Sequence, residues 1–163
     1  MKIQIVDERD QVVGVKERSD VDSKVETYRM SALWLTNSKG QILLAKRAMV
    51  KSNDPGKWGP AVAGTIDEGE TYDVNIYKEA EEEIGLRGVE FSKGIKTYTT
   101  YPGNYFCQWF FATLDRDASS FKLQAEEVDK IEWVDIEKLK HEIEISPEKY
   151  VPLMPQIIKD LNL

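Results

Sequence analysis

The sequence predicts an α/β domain. Short runs of β-branched and aromatic residues alternate with polar turns, one strongly periodic helix lies at mid-chain, and two further helical segments close it. Ile3–Val6 and Val12–Val15 flank the polar stretch Asp7–Gln11 and read as an opening β-hairpin. Ala32–Leu35 and Ile42–Ala45 enclose a segment whose Asn37 and Gly40 suit a turn, predicting a second hairpin. Lys46–Pro60, with Asp54-Pro55-Gly56 at its centre and Trp58 close behind, reads as a long polar loop, and such loops are more often functional than idle. Thr71–Ile84 reads as a helix with Thr71 as N-cap, Asp73 in the dipole-favoured first turn and Gly85 as the stop. Its apolar stripe, Tyr72, Ile76, Ala80 and Ile84, places Glu79, Glu82 and Glu83 off the core. Ile95–Thr113 predicts a hairpin around Tyr101-Pro102-Gly103-Asn104, and Ile131–Val134 a final strand. Asp135 opens a short helix to about Ile143, and Ser146-Pro147 is a good start for a last helix toward Leu161.

Composition narrows the function. The 163 residues are 41% hydrophobic and 31% charged, with no repeat, low-complexity tract or linker, so residues 1–163 read as one domain. A chain of this length buries about 70% of its unfolded surface and needs no disulfide or metal staple. Its one cysteine, Cys107, forms no internal bridge and fits a reducing compartment. No run approaches the roughly 18 apolar residues of a membrane span, and the start lacks a signal-peptide pattern, so a cytoplasmic protein without membrane attachment is expected. A net charge of -7 argues against a nucleic acid polymer as partner, because phosphate-backbone binding needs surplus Lys and Arg. An anionic small molecule remains open if metal supplies the positive charge.

The chemistry concentrates between Gly64 and Leu86. On a helix, Glu79, Glu82 and Glu83 share a face and repel one another. Hard divalent cations relieve that repulsion, since Mg²⁺ binds a few carboxylates together with waters and substrate phosphates. The bland alternative is a solvated acidic face. The spacing changes the odds between these two. Gly64, Glu70, Glu79, Ala80, Glu82, Glu83, Gly85 and Leu86 match G-x5-E-x7-R-E-U-x-E-E-x-G-U (U aliphatic), departing only at Lys78, where the pattern has Arg.

In that stretch the chain resembles the Nudix hydrolases. The resemblance implies a Nudix-type α/β/α sandwich with a mixed β-sheet and the N-terminal β-hairpin. It also implies Mg²⁺- or Mn²⁺-dependent attack of water on a diphosphate linkage in a nucleoside diphosphate derivative. By carry-over, Glu79, Glu82 and Glu83 are metal ligands or base, the Ala63 carbonyl is a backbone ligand, and Glu70 with Lys78 forms the ion pair that orients the carboxylates. Lysine keeps the charge of the family's arginine but loses its planar fork. Some family members take the base from a loop before the last strand, where Glu126 and Glu127 stand; a solvated loop pair is the alternative. A homodimer is common in the family.

A weaker likeness runs toward the isopentenyl-diphosphate isomerase-like (MutT-type) branch. It is carried by the opening hairpin with Val6-Asp7-Glu8 and Gly14, by Arg47 after the strand at Ile42, by Lys51, and by Trp58 after Pro55-Gly56. In relatives the basic residues of this loop contact diphosphate, which assigns Arg47 and Lys51 to substrate binding, with Trp58 beside them; ordinary exposed cations are the alternative. A true isomerase of the branch needs a cysteine before the box and histidine metal ligands. Gly59–Ala63 carries no thiol, and Tyr28 stands near the histidine position. His141 reads as a surface residue and Cys107 as a small buried hydrophobe. Tyr98, Tyr101, Tyr105, Trp109 and Trp58 are either stacking surface for a base or core. A non-catalytic nucleotide-sensing module is the third reading, and such a module would be expected to lose box glutamates that this chain keeps.

Overall fold

The computed structural model describes residues 1–163. Strands β1 (Lys2–Val6) and β2 (Val12–Glu17) form the expected antiparallel hairpin. The long strand β3 (Thr27–Thr36) is the organising element, and β4 (Gln41–Arg47) follows it across the expected turn. The second hairpin is a correction. β3 and β4 pair only at Thr36↔Ile42, because the remaining lengths separate toward different neighbours. Beyond them, β5 (Trp58–Pro60) pairs with β4, and β6 (Val62–Thr65) runs antiparallel to β3. β7 (Ser92–Thr99) and β8 (Tyr105–Thr113) form the aromatic hairpin, β8 lying parallel to β3 from Tyr28↔Tyr105 to Thr36↔Thr113. β9 (Val128–Asp135) pairs antiparallel with β4. One mixed nine-stranded sheet therefore opens into two arms, β6-β3-β8-β7 and β5-β4-β9.

Helix α1 (Tyr72–Ile84) covers one face. Thr71 Oγ1 accepts from the Val74 amide, and Gly85, left-handed at φ 66°, ends the helix with its own amide on the Glu81 carbonyl and that of Leu86 on the Ala80 carbonyl. Ile76, Ala80 and Ile84 pack with Leu33, Leu35, Leu43 and Phe110 in one apolar cluster. Helix α2 (Ile136–Ile145), capped by Asp135, and α3 (Met154–Asp160) cover the other face through Leu139, Ile143 and Met154 against Ala32, Trp34, Leu44 and Trp109. These three layers are the α/β/α sandwich that the resemblance implies. The last helix is shorter than the sequence suggests. Pro147–Lys149 makes only a 3₁₀ turn, the Ser146 side chain forms no cap, and α3 begins at Met154. Pro152 lies in the break, where its missing N–H and fixed φ interrupt a continuous helix.

Candidate active site

The arms of the sheet part beside β6, and the opening between them is a cavity of about 410 Å³. Its walls include Ala63 and Gly64 of β6, Glu79, Glu82 and Glu83 of α1, Arg47 at the end of β4, Lys51 of the loop 48–57, and Glu127. That loop is shorter at both ends than the expected Lys46–Pro60, because β4 and β5 take its flanks. The close approach of α1 depends on Gly64, because a Cβ there would collide with the Glu79 side chain. Glu127 arrives through a loop that also ends the helix: the Lys122 and Gln124 amides donate to the carbonyls of Ile84 and Glu83.

Glu83 corrects the sequence expectation. It is 9% exposed, not a surface group, because positions 76, 80 and 83 share the stripe that packs on the sheet. Burial, then the neighbouring charges of Glu79 and Glu127, push its carboxyl up to about 8. Its hydrogen bond within the chain is a long one from the Ala63 amide, at 3.4 Å. Burial also raises Glu79, with the Glu82 charge adding to it and Lys78 opposing. Glu82 is exposed at the rim.

Lys78 sits between three acids, with Nζ 2.7 Å from Glu70 Oε1, 2.8 Å from Asp67 Oδ2 and 3.8 Å from Glu79 Oε1. Burial opposes its charge, but the hydrogen bonds to Asp67 and Glu70 outweigh that and raise its pKa. Burial likewise raises Glu70, yet bonds from Lys78 and Asn75 leave it below the ordinary carboxylate value. Asn75, fully buried, ties the cluster together: Nδ2 lies 2.9 Å from Glu70 Oε2, 3.0 Å from the Thr65 carbonyl and 3.3 Å from Glu79 Oε1, while Oδ1 accepts from Ser31 Oγ at 2.6 Å.

Asn75 and Asp67 escaped the sequence reading. A legible signal existed for Asn75, since an asparagine inside a helix is unfavourable unless its amide is used, and it stands four residues before Glu79. Asp67 Oδ1 is buried without a partner.

Of the substrate-binding candidates, Arg47 lines the cavity with Nε held by the Asn53 carbonyl at 2.9 Å, and Lys51 lines it while ion-paired to Glu127. Trp58 does not line it. Its backbone completes β5, and its ring packs with the α2/α3-side core. Glu126 also lies outside, exposed on a turn that the Glu127 and Val128 amides close onto the Gln124 carbonyl. Tyr28, Met30, Tyr101, Tyr105, Cys107, Trp109, Leu153 and Ile157 form the opposite end of the cavity. The Tyr28 and Tyr105 rings pack 5.4 Å apart there. Burial raises both phenols and pushes the Cys107 thiol up to about 12, so this cysteine is a buried hydrophobe. His141 is exposed on α2, and Tyr98 lies by a second hollow of about 630 Å³ beside β1, which none of the α1 glutamates lines.

No three His, Cys, Asp or Glu side chains form a ready metal cage. The cluster still fits a divalent cation: Glu83 and Glu79, both raised chiefly by burial and further by neighbouring carboxylates, are a donor set short of positive charge. Mg²⁺ takes only part of its shell from protein.

A sequence model described as the NUDIX domain matches residues 27–156. The chain is 28% identical over 159 residues to an uncharacterized Nudix hydrolase of Pseudomonas aeruginosa, covering 97% of this chain and 89% of that one. It is 31% identical over 157 residues to a protein of Methanosarcina mazei named prenyl-diphosphate phosphatase, covering 94% and 91%. A crystal structure from Deinococcus radiodurans superposes with a TM-score of 0.86 at 22% identity over 98% of each chain, a likeness of fold. On the match to most of its length and the family's residue spacing around α1, this chain belongs to the Nudix hydrolases, enzymes that act on phosphoanhydride bonds and generally need a divalent metal.

Proposed function

We propose that this protein is a Mg²⁺-dependent (or Mn²⁺-dependent) pyrophosphohydrolase that cleaves a diphosphate linkage in a nucleoside diphosphate derivative. The observation that carries the reading is the buried Glu83 carboxylate beside Glu79, facing one cavity with Arg47 and Lys51. Glu79, Glu82, Glu83 and the Ala63 carbonyl would hold the metal. A bound divalent cation lowers the pKa of water and neutralises charge developing on phosphoryl oxygens. The chain's own groups supply the rest. Arg47 presents its remaining N–H groups to the diphosphate, and Lys51 presents an ammonium. An arriving diphosphate competes with Glu127 for Lys51, which frees the Glu127 carboxylate. One of the cavity glutamates takes the proton of the attacking water as the new P–O bond forms and the bridging P–O bond breaks. Lys78, Glu70 and Asn75 hold Glu79 in place.

A second reading, an isoprenoid diphosphate as substrate, is favoured by the aromatic and aliphatic end of the cavity and by the name of the Methanosarcina mazei relative. Isomerase chemistry is disfavoured: the notional histidine place holds Tyr28, and the one thiol is buried and protonated. The net charge supports a small-molecule substrate over a nucleic acid polymer, no helix is long and apolar enough to cross a membrane, and a cytoplasmic setting suits the single free cysteine. One continuous sheet supports reading residues 1–163 as one domain, and the family resemblance leads us to expect a homodimer, which light scattering tests.

The deciding experiment is a product screen over nucleotide sugars, dinucleotides, NTPs and isoprenoid diphosphates with Mg²⁺ or Mn²⁺, wild type beside Glu83→Gln. Products from one nucleotide class, absent with the variant, are expected. Cleavage of isoprenoid diphosphates alone selects the second reading. Metal-dependent binding without turnover replaces hydrolysis by sensing, and no cleavage of any compound sinks the proposal.

A further inference from the structure

The sequence model of the family begins at residue 27, so the β1–β2 hairpin lies outside the matched span. That hairpin nevertheless reaches the loop that carries Asp67 and Glu70. Strand β1 reads Lys-Ile-Gln-Ile-Val, and its interior is apolar except for Gln4, which is 5% exposed. Burying an amide is costly unless its hydrogen bonds are made, and here they are specific. Gln4 Nε2 donates to the carbonyl of Glu70 at 2.8 Å and to that of Asp67 at 3.1 Å. The Glu68 amide adds a bond to the Lys2 carbonyl at 2.9 Å. The two residues gripped through their backbones are the two whose carboxylates hold Lys78.

The amide is itself held. Arg29 Nη1 donates to Gln4 Oε1 at 2.8 Å, Arg29 Nε donates to Asp10 Oδ1 at 2.6 Å, and Arg29 Nη2 donates to the Asp10 carbonyl. Asp10 sits in the hairpin turn at φ 60°, a left-handed conformation that Asp tolerates better than most residues. Its carboxylate also receives Lys96 of β7 and, at 3.0 Å, the hydroxyl of Tyr72, the first residue of α1. The hairpin thus grips the site at two points, the turn before the helix and the helix start.

We propose that the N-terminal hairpin is a brace for the Lys78–Glu70–Glu79 cluster, with Gln4 and Arg29 as its positioning residues. The proposal rests on the glutamate cluster being the reaction site. Packing alone would be served by an apolar residue at position 4. A double amide donation to Asp67 and Glu70 instead fixes the height and tilt of the turn from which their carboxylates reach Lys78, and through Lys78 and Asn75 the orientation of Glu79.

Gln4→Glu is the informative variant. It keeps the size of the side chain and an acceptor for Arg29, but faces two carbonyls with a carboxylate. Residues that orient metal ligands from behind typically cost 10–100-fold when changed, so about a tenfold fall in kcat and a similar weakening of Mn²⁺ binding, measured by EPR without substrate, are expected. KM should move less, and hydrogen exchange should quicken in residues 66–71. In a Glu70→Gln background Gln4→Glu should cost nothing more, because both act through one turn. Arg29→Lys keeps a charge for Asp10 but loses the fork to Gln4, so it should move the same readouts in the same direction and decides the matter should Gln4→Glu not fold. Wild-type kcat and Mn²⁺ binding in the folded variants, or losses that multiply with Glu70→Gln, would overturn the brace. Glu83→Gln separates the two levels: if it is inactive while Gln4→Glu is normal, only the brace fails, and if it stays active, the site assignment fails.

Discussion

The two ends of the cavity are built by opposite means. At the α1 end, Lys78, Glu70, Asp67, Asn75 and Glu79 are joined by a dense set of ion pairs and hydrogen bonds. At the β3–β8–α3 end, Tyr28, Met30, Tyr105, Trp109, Leu153 and Ile157 make a wall of rings and methylenes in which the Tyr28 and Tyr105 hydroxyls are hydrogen-bonded to nothing in the chain. Ordered charge suits the step common to a reaction class, where reacting groups must be held before substrate arrives. An apolar wall with a few free hydroxyls suits the part of the substrate that differs from enzyme to enzyme. On the proposed function, the acidic end carries the chemistry and the aromatic end the substrate identity.

The contrast predicts how substitutions divide. Glu83→Gln should have the largest effect: turnover should fall by at least about 10²-fold, the scale for losing a positioned base. Its Tm in EDTA should hold at neutral pH, because burial already keeps the carboxyl, pushed up to about 8, largely protonated there and the amide matches its size. Steady-state kinetics beside a thermal melt checks both halves. Asn75→Leu comes next. It strands the Ser31 hydroxyl and the Thr65 carbonyl, so a loss of about 1–3 kcal/mol in denaturant unfolding is expected. Its kcat should also drop, by about tenfold if it orients Glu79. A lost stability with intact kcat would make Asn75 a core residue only.

At the other end, Tyr105→Phe should leave kcat nearly unchanged and shift KM. For a nucleoside substrate that bonds the hydroxyl, a neutral hydrogen bond of about 0.5–1.5 kcal/mol predicts a rise of roughly 2–12-fold. For an isoprenoid substrate KM should stay put, so one variant sharpens the choice between readings. A kcat collapse instead would break the division of labour. Lys78→Arg should have the smallest effect, equal or slightly higher turnover, since the guanidinium can pair bidentately with Glu70 while still reaching Asp67. A large loss would show that the compact ammonium is required.

Much of the acidic end was legible because its logic is local. Thr71, the stripe from Tyr72 to Ile84, Gly85 and the glutamate spacing follow from helical periodicity and capping over one short segment. Asp67 and Asn75 belong to the same segment but gain their meaning only when Lys78 folds back between Asp67 and Glu70, and when Ser31 arrives from β3. The aromatic end was legible only as composition. Whether Trp58 or Tyr28 faces the cavity depends on which strand each side chain meets, and the parting of β3 from β4 after one paired position could not be read from a turn sequence that equally suits a full hairpin.

The amino-acid sequence alone determined the class of fold, the helix that carries the glutamates, and the family pattern into which they fall, because periodicity, caps and fixed spacing act between near neighbours. Only the tertiary structure decided that Glu83 is buried rather than exposed, that Glu127 and not Glu126 shares its cavity, that Trp58 packs on the α2/α3-side core, and that Gln4, held by Arg29 of β3, reaches from a distant hairpin to the turn at Asp67. Those outcomes depend on contacts between residues far apart in the chain, where the depth of a charge and the partner of an amide are set by the packing of several elements at once.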